Sequence, residues 1–258
     1  FAFRANLHDT RTKTIFGRRG TYDGDDLVDL IFTRKSASTY IIEKLYRFFV
    51  NDLPHGPTKS SKAFVNQLGN LFKRRDWELK PIMRALFMSE HFYAPDNMNA
   101  IIKSPIQLMV QAVRTLNPPN RSKLIQTLVV ASDLMGQRLF APPSVKGWDG
   151  GRSWINTSTM FARQNTILYL LTGLKPDGYG WEADQSPFNA LSLVEDPEGE
   201  PRDIAKQLMS TVLSIEQPNK DRVSSLTNFL TTQNNQINNQ TVTGMLTLIT
   251  AMPEYQLC

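Results

Sequence analysis

Residues 203–215 read DIAKQLMSTVLSI, and this stretch decides the fold class. Its apolar side chains recur every three or four positions, which is the spacing of one face of an α-helix. They are Ile204, Leu208, Val212 and Ile215. Polar side chains fill most of the positions between them. The stretch therefore predicts an amphipathic helix that buries one face against other helices.

The same spacing recurs from one end of the chain to the other. The first stripe is Leu27, Leu30 and Ile31, and the second is Ala37, Ile41, Leu45 and Phe48. Eight further stripes include Leu68, Ile82, Met109, Leu128, Leu168, Leu208, Leu226 and Met245. Almost no stretch alternates apolar and polar residues over a strand's length. We therefore predict an all-α protein of about ten amphipathic helices in an irregular array with long loops.

Two breaks in the pattern divide the chain. Residues 176–202 are rich in proline, glycine and acids, which is typical of an exposed linker or lid. We expect a main helical body over residues 1–175 and a smaller helical subdomain over residues 203–258.

Composition and charge exclude several classes of protein. The chain has 258 residues, 41% of them hydrophobic, so it can bury a core of its own. Its apolar runs are only a few residues long, far short of a membrane span of about 20. The net charge is +5, but acids are interleaved with most of the basic residues, so nucleic acid is an unfavoured partner. The single cysteine, Cys258, forms no internal disulfide and no metal-ligand pair.

His8 and Asp9 are the candidate catalytic residues. Adjacent imidazole and carboxylate groups could act as base and orienting group, or hold a divalent metal. Metal-dependent phosphohydrolases that use such a doublet also need an earlier histidine, and no histidine precedes His8. The alternative interpretation is that the His8 and Asp9 side chains form only local hydrogen bonds at the start of a helix or loop. The sequence predicts no metal site and no cofactor.

Residues 142–154, PPSVKGWDGGRSW, form the most unusual segment. Its prolines and glycines specify a rigid loop without helix. The candidate binding residues are Lys146, Trp148, Asp149, Arg152 and Trp154, which could stack on and hydrogen-bond to a sugar or an acidic group. The alternative is a structural loop whose indole rings fill the space between helices.

An ordered set of short motifs carries a family resemblance. It comprises His8-Asp9 with Lys13 and Gly17, Asp25-Asp26, Ala37-Ser38-Thr39, residues 44–50 (KLYRFFV), residues 86–92 (LFMSEHF), Lys103-Ser104-Pro105, Met135-Gly136-Gln137, and Pro142-Pro143 through Trp148 to Trp154. As a set, these motifs resemble the domain-of-unknown-function eighteen-hundred family of bacterial, planctomycete-type proteins. The resemblance covers nearly the whole chain. Family members are usually longer, so we expect this chain to be the C-terminal part of one.

The resemblance implies a location and a partner rather than a chemistry. It favours an extracytoplasmic protein, periplasmic or secreted, working beside a sulfatase-like protein. Because Phe1 and not methionine stands first, we also expect a mature or trimmed chain.

Three functional hypotheses remain open. The first is an exported all-α interaction or scaffold domain that acts with a protein partner or a cell-envelope polymer. The second is a hydrolase of an extracellular polymer or of a sulfated or phosphorylated substrate. The third, weaker hypothesis is a protein that binds an anionic surface or nucleic acid.

Overall fold

The computed structural model describes residues 2–119, 121–182, 188–215 and 217–258, and the side chains of residues 121–123 are not included. Within these ranges the chain forms ten α-helices. They are α1 (Gly24–Thr33), α2 (Lys35–Phe49), α3 (Lys59–Arg74), α4 (Leu79–Phe87), α5 (Pro105–Leu116), α6 (Arg121–Leu134), α7 (Thr157–Thr172), α8 (Pro201–Leu213), α9 (Lys220–Thr232) and α10 (Asn239–Thr250). One small antiparallel hairpin joins β1 (Lys13–Ile15) to β2 (Arg18–Gly20). The predicted all-α class is confirmed.

Several helices begin and end where the sequence provides a cap. The Asp23 carboxylate accepts hydrogen bonds from the backbone N–H groups of Asp25 and Asp26 at the start of α1. Ser104 caps α5 in the same manner, with Pro105 as the first helical residue. Gly173 ends α7 in the left-handed conformation, φ +70°. These groups satisfy backbone atoms that have no partner inside the helix, which fixes the helix ends.

The chain divides into two compact units, Phe1–Ala100 and Ile101–Cys258. In the first unit, α2, α3 and α4 enclose a core that includes Ile42, Leu68 and Ile82. The buried Tyr46 hydroxyl lies 3.0 Å from Nε2 of His91 and donates to Oδ1 of Asn97 at 3.3 Å. These contacts attach the segment after α4 to α2.

The second unit encloses a larger core made by helices α5 to α10. Leu108, Met135 and Leu208 are among its fully buried side chains. Trp181 and Phe188, from the described part of residues 176–202, are buried in the same core. The domain division expected from the sequence, with boundaries at 175 and 203, stays a prediction.

The buried face of α2 differs from the predicted stripe. Ser38, Ile42 and Tyr46 are buried, whereas Phe48 is exposed. The predicted stripe was therefore wrong by about one position. Ser38 and Tyr46 face the core, and apolar residues occupy more than one face of this helix, so their spacing did not define the buried face. α1 also leaves part of its stripe in solvent: Leu27 and Ile31 are exposed.

Two cations lie inside the second unit. Arg163 of α7 is 0% exposed and Lys103 is 3% exposed. One Arg163 nitrogen donates to the Lys103 carbonyl at 2.7 Å and another to Oε1 of Gln256 at 3.1 Å. Nζ of Lys103 donates to the Tyr255 carbonyl at 2.7 Å and lies 4.8 Å from the centre of the Tyr255 ring. The cations therefore bind the segment before α5 to the segment after α10.

This clamp uses carbonyl and amide oxygens instead of carboxylates. Among the described residues, neither cation forms an ion pair with Asp or Glu. Burial lowers the pKa of Lys103 from 10.5 to about 8 and that of Arg163 to about 10. A buried charge without a counter-ion costs free energy, so the clamp fixes geometry at the expense of stability.

We expect Lys103 to make stability depend on pH. Between its folded pKa near 8 and its ordinary value of 10.5, the unfolded chain binds more protons than the folded one. The free energy of unfolding of the wild type should therefore rise, relative to Lys103→Met, by roughly 1–3 kcal/mol as pH increases from about 8 to about 10. Urea unfolding of both proteins across this range measures the difference. Parallel pH profiles for the two proteins would contradict it.

Candidate functional site

The tip of the hairpin holds an aromatic side chain in an unusual backbone conformation. Phe16 and Gly17 form the two-residue turn between β1 and β2, with φ +50° and +79°. Such turns favour asparagine followed by glycine, because both positions need positive φ. A phenylalanine there costs conformational energy, and the residue is 52% exposed. A strained, exposed aromatic residue is typical of a binding site.

The junction of α1 and α2 lies beside this turn. Thr33 ends α1, Lys35 begins α2, and Arg34 between them is extended, with φ −75° and ψ 137°. The Arg34 side chain makes no capping hydrogen bond to the start of α2. The Arg34 guanidinium lies 5.2 Å from the centre of the Phe16 ring, a cation–π contact that holds the turn against the junction.

Turn and junction together enclose a groove, which we call the Phe16 groove. It consists of two cavities of about 390 Å³ each that share Phe16, Arg34 and Ser36. One cavity is lined further by Arg18, Leu30, Thr33 and Lys35. The other is lined further by Ile31, Ala37 and Tyr40. The groove thus has a basic half and an apolar half with Phe16 between them.

All the charged residues that line the groove are basic. Arg18, Arg34 and Lys35 line it, no Asp or Glu does, and none of the three forms an ion pair among the described residues. The N-terminus of α2 adds the positive end of a helix dipole. The arrangement can bind an anionic group against the cations and an apolar neighbour of that group against Phe16 and Tyr40.

His8 and Asp9 lie in the first unit, and Asp9 faces an arginine. The guanidinium of Arg11 donates to both Asp9 oxygens at 3.0–3.2 Å, and the Arg11 backbone N–H donates at 2.9 Å. These bonds hold the pKa of Asp9 below its ordinary value. His8 packs near Phe3, with ring centres 5.2 Å apart. A catalytic role for the two residues stays a prediction.

The predicted binding loop lies in the second unit. Nζ of Lys146 donates to Oδ1 of Asp149 at 2.6 Å, and both side chains are exposed. Arg152 is also exposed and Trp148 is half-buried. Trp154 is only 7% exposed, and its carbonyl accepts a hydrogen bond from Thr159. The structure thus brings Lys146 and Asp149 together, and the binding role of the loop stays a prediction.

The residues of the Phe16 groove are not among the candidate site residues that the sequence predicts. Ile31 belongs to the first predicted apolar stripe, and the sequence gives Arg18 no role. One signal was available: Phe16-Gly17 stands between two short segments, at the turn position where asparagine is usual. The meeting of hairpin tip and helix junction is a tertiary contact, which local patterns do not encode.

Neither a metal-binding cluster nor a membrane-spanning helix is found among the described residues. No three side chains from His, Cys, Asp and Glu lie close enough together there to hold a metal ion. Within the same residues, no helix has both the length and the apolar character needed to cross a membrane.

Fold and groove define an all-α protein with a basic, aromatic-lined surface groove. The sequence model of the family described as "Protein of unknown function (DUF1800)" matches residues 1–257. The chain therefore belongs to the DUF1800 family. Neither the curated proteins nor the solved structures include a match to it.

Trp154 and its neighbours in the loop should respond differently to substitution. Trp154→Ala removes a buried indole and should lower the free energy of unfolding by about 3–5 kcal/mol. Asp149→Asn breaks an exposed ion pair and should leave the melting temperature unchanged. Thermal unfolding of both variants measures this. Equal destabilisation by the two changes would contradict the assignment of Trp154 to the core.

Proposed function

We propose that this DUF1800 chain is an exported interaction domain that binds an anionic segment of a protein partner or cell-envelope polymer in the Phe16 groove. The observation that carries the proposal is Phe16 itself. An aromatic side chain at a turn position that strains it, and exposed beside three cations, contributes little to a core. A ligand that covers the Phe16 side chain would explain why an aromatic residue occupies this strained, exposed position.

The charge of the groove supports an anionic ligand. Arg18, Arg34 and Lys35 repel one another, and no described carboxylate neutralises them. Carboxylate, phosphate and sulfate groups all match this pattern, because each accepts hydrogen bonds from guanidinium and ammonium groups. Exposed charges of one sign also accelerate association with an oppositely charged partner.

The apolar half supports a polymer or peptide over an isolated ion. Tyr40 is 62% exposed, and Ile31 is exposed beside it. An inorganic ion would leave this half of the groove in water. A chain of anionic units with apolar neighbours would cover both halves at once.

Charge reversal in the groove should abolish binding of an acidic polymer. We expect the wild type to bind poly-L-glutamate with an affinity that falls as salt is added. Arg34→Glu with Lys35→Glu should weaken this binding by at least about tenfold, equivalent to about 1.4 kcal/mol. Isothermal titration calorimetry at low ionic strength measures the affinities. Sulfated and phosphorylated polysaccharides, titrated in parallel, distinguish a polymer from a peptide ligand.

Lys59→Glu with Lys62→Glu is the matched control. Both lysines are exposed in the first turn of α3, outside the groove, and the net charge changes by the same amount. The control should bind poly-L-glutamate almost as the wild type does. If both double variants lose affinity equally, binding depends on net charge alone and the groove is not the site.

The proposed location is outside the cytoplasm. It is supported by the family resemblance, and the partner that the resemblance suggests is a sulfatase-like protein. Fractionation of the source cells tests the location: the native protein should appear in the periplasmic or secreted fraction. Recovery of the native protein in the cytosolic fraction would contradict the proposed export.

A further inference from the structure

The second unit carries an acidic turn that complements the Phe16 groove. Residues 195–200 read EDPEGE and lead into α8, whose first turn adds Asp203. We call residues 195–200 the acidic turn. None of its four acidic side chains forms an ion pair among the described residues. The acidic turn and the groove therefore carry uncompensated charges of opposite sign.

The acidic turn is also held in one conformation by its own hydrogen bonds. The Glu198 backbone N–H donates to the Asp196 carboxylate at 3.1 Å, and the Gly199 N–H donates to the Asp196 carbonyl at 3.2 Å. These two bonds hold the turn in a tight, preformed conformation. Pro197 stands exposed between carboxylates, as an apolar group to place against Phe16 and Tyr40.

Building on the proposed function, we propose that the occupant of the Phe16 groove is the acidic turn of a second copy of this chain. The carboxylates of the turn would meet Arg18, Arg34 and Lys35, and Pro197 would cover the aromatic half of the groove. A preformed turn loses little conformational entropy on binding, which favours it over a flexible acidic segment.

The proposed contact is heterologous, because groove and turn are different surfaces of the chain. Each copy that fills a neighbour's groove leaves its own groove free for another copy. Such contacts generate rings or open chains of molecules, unlike the closed dimer of a self-complementary surface. The chain would then act as a building unit of an assembly.

Paired charge reversals test this proposal. Arg34→Glu/Lys35→Glu makes the groove acidic, and Glu195→Lys/Glu198→Lys/Glu200→Lys makes the turn basic while keeping the Asp196 carboxylate that holds its conformation. Sedimentation velocity at low ionic strength measures assembly size over a range of concentrations. The wild type should associate as concentration rises and dissociate as salt is added. Either variant alone should sediment as a monomer, because groove and turn then carry charges of the same sign.

Mixing the two variants is the decisive step. Each groove in the mixture again meets a turn of opposite charge, so association should return. The Lys59→Glu/Lys62→Glu protein should associate as the wild type does. A mixture that remains monomeric, or a wild type that is monomeric at all concentrations, overturns the proposal.

The assembly test and the poly-L-glutamate titration together distinguish a failure of this inference from a failure of the proposed function. If poly-L-glutamate binds in the groove but the mixture stays monomeric, the groove is a binding site whose partner is another molecule. If poly-L-glutamate also fails to bind, the proposed function itself is wrong.

Discussion

The groove depends on one break in the backbone. Arg34 is the single extended residue between α1 and α2, and it prevents the two helices from running on as one. The break exposes the start of α2, leaves Ile31 at the surface and places a guanidinium over Phe16. The positions of Arg34 and Lys35 in the groove, and the contact of Arg34 with Phe16, therefore depend on this junction.

A second constraint organises the other unit. Arg163 and Lys103 are enclosed with oxygen partners from the backbone and from Gln256, and Nε of Arg163 has no hydrogen-bond partner among the described residues. Replacing buried ionic groups by apolar residues of similar volume is often neutral or stabilising. The cations instead specify which segments meet: the strand-like stretch before α5 and the chain end after α10, which also form a bridge between Ile102 and Leu257. The buried cations thus lower the free energy of unfolding, but they define how the segment before α5 aligns with the segment after α10.

The sequence predicted the helices well because each one carries local signals. Asp23, Ser104 and Gly173 act at the helix ends where their side chains or conformational freedom predict. The choice of buried face was less accurate in α2, where Tyr46 and Ser38 are buried and Phe48 is not. Burial of a polar residue depends on distant partners such as His91 and Asn97, and a stripe of apolar residues contains no information about them.

The candidate site was harder to predict for the same reason. The prominent residues of the sequence were His8, Asp9 and the tryptophan-rich loop, and they stand out by composition. The groove is made of common residues, and only their convergence from the hairpin, α1 and α2 gives them a joint role. The local signal at this site, a phenylalanine where an asparagine is expected, gains a functional interpretation from the cations beside it.

Phe16→Asn tests the central claim most directly, because it separates stability from binding. Asparagine tolerates the left-handed conformation of the turn, so the variant should fold at least as stably as the wild type. It removes the aromatic surface between the two halves of the groove, so its affinity for poly-L-glutamate should fall by several-fold or more. The measurement is a calorimetric titration of poly-L-glutamate into this variant, with its melting temperature recorded beside it. Wild-type affinity in a protein of unchanged or higher melting temperature would contradict a binding role for the Phe16 groove.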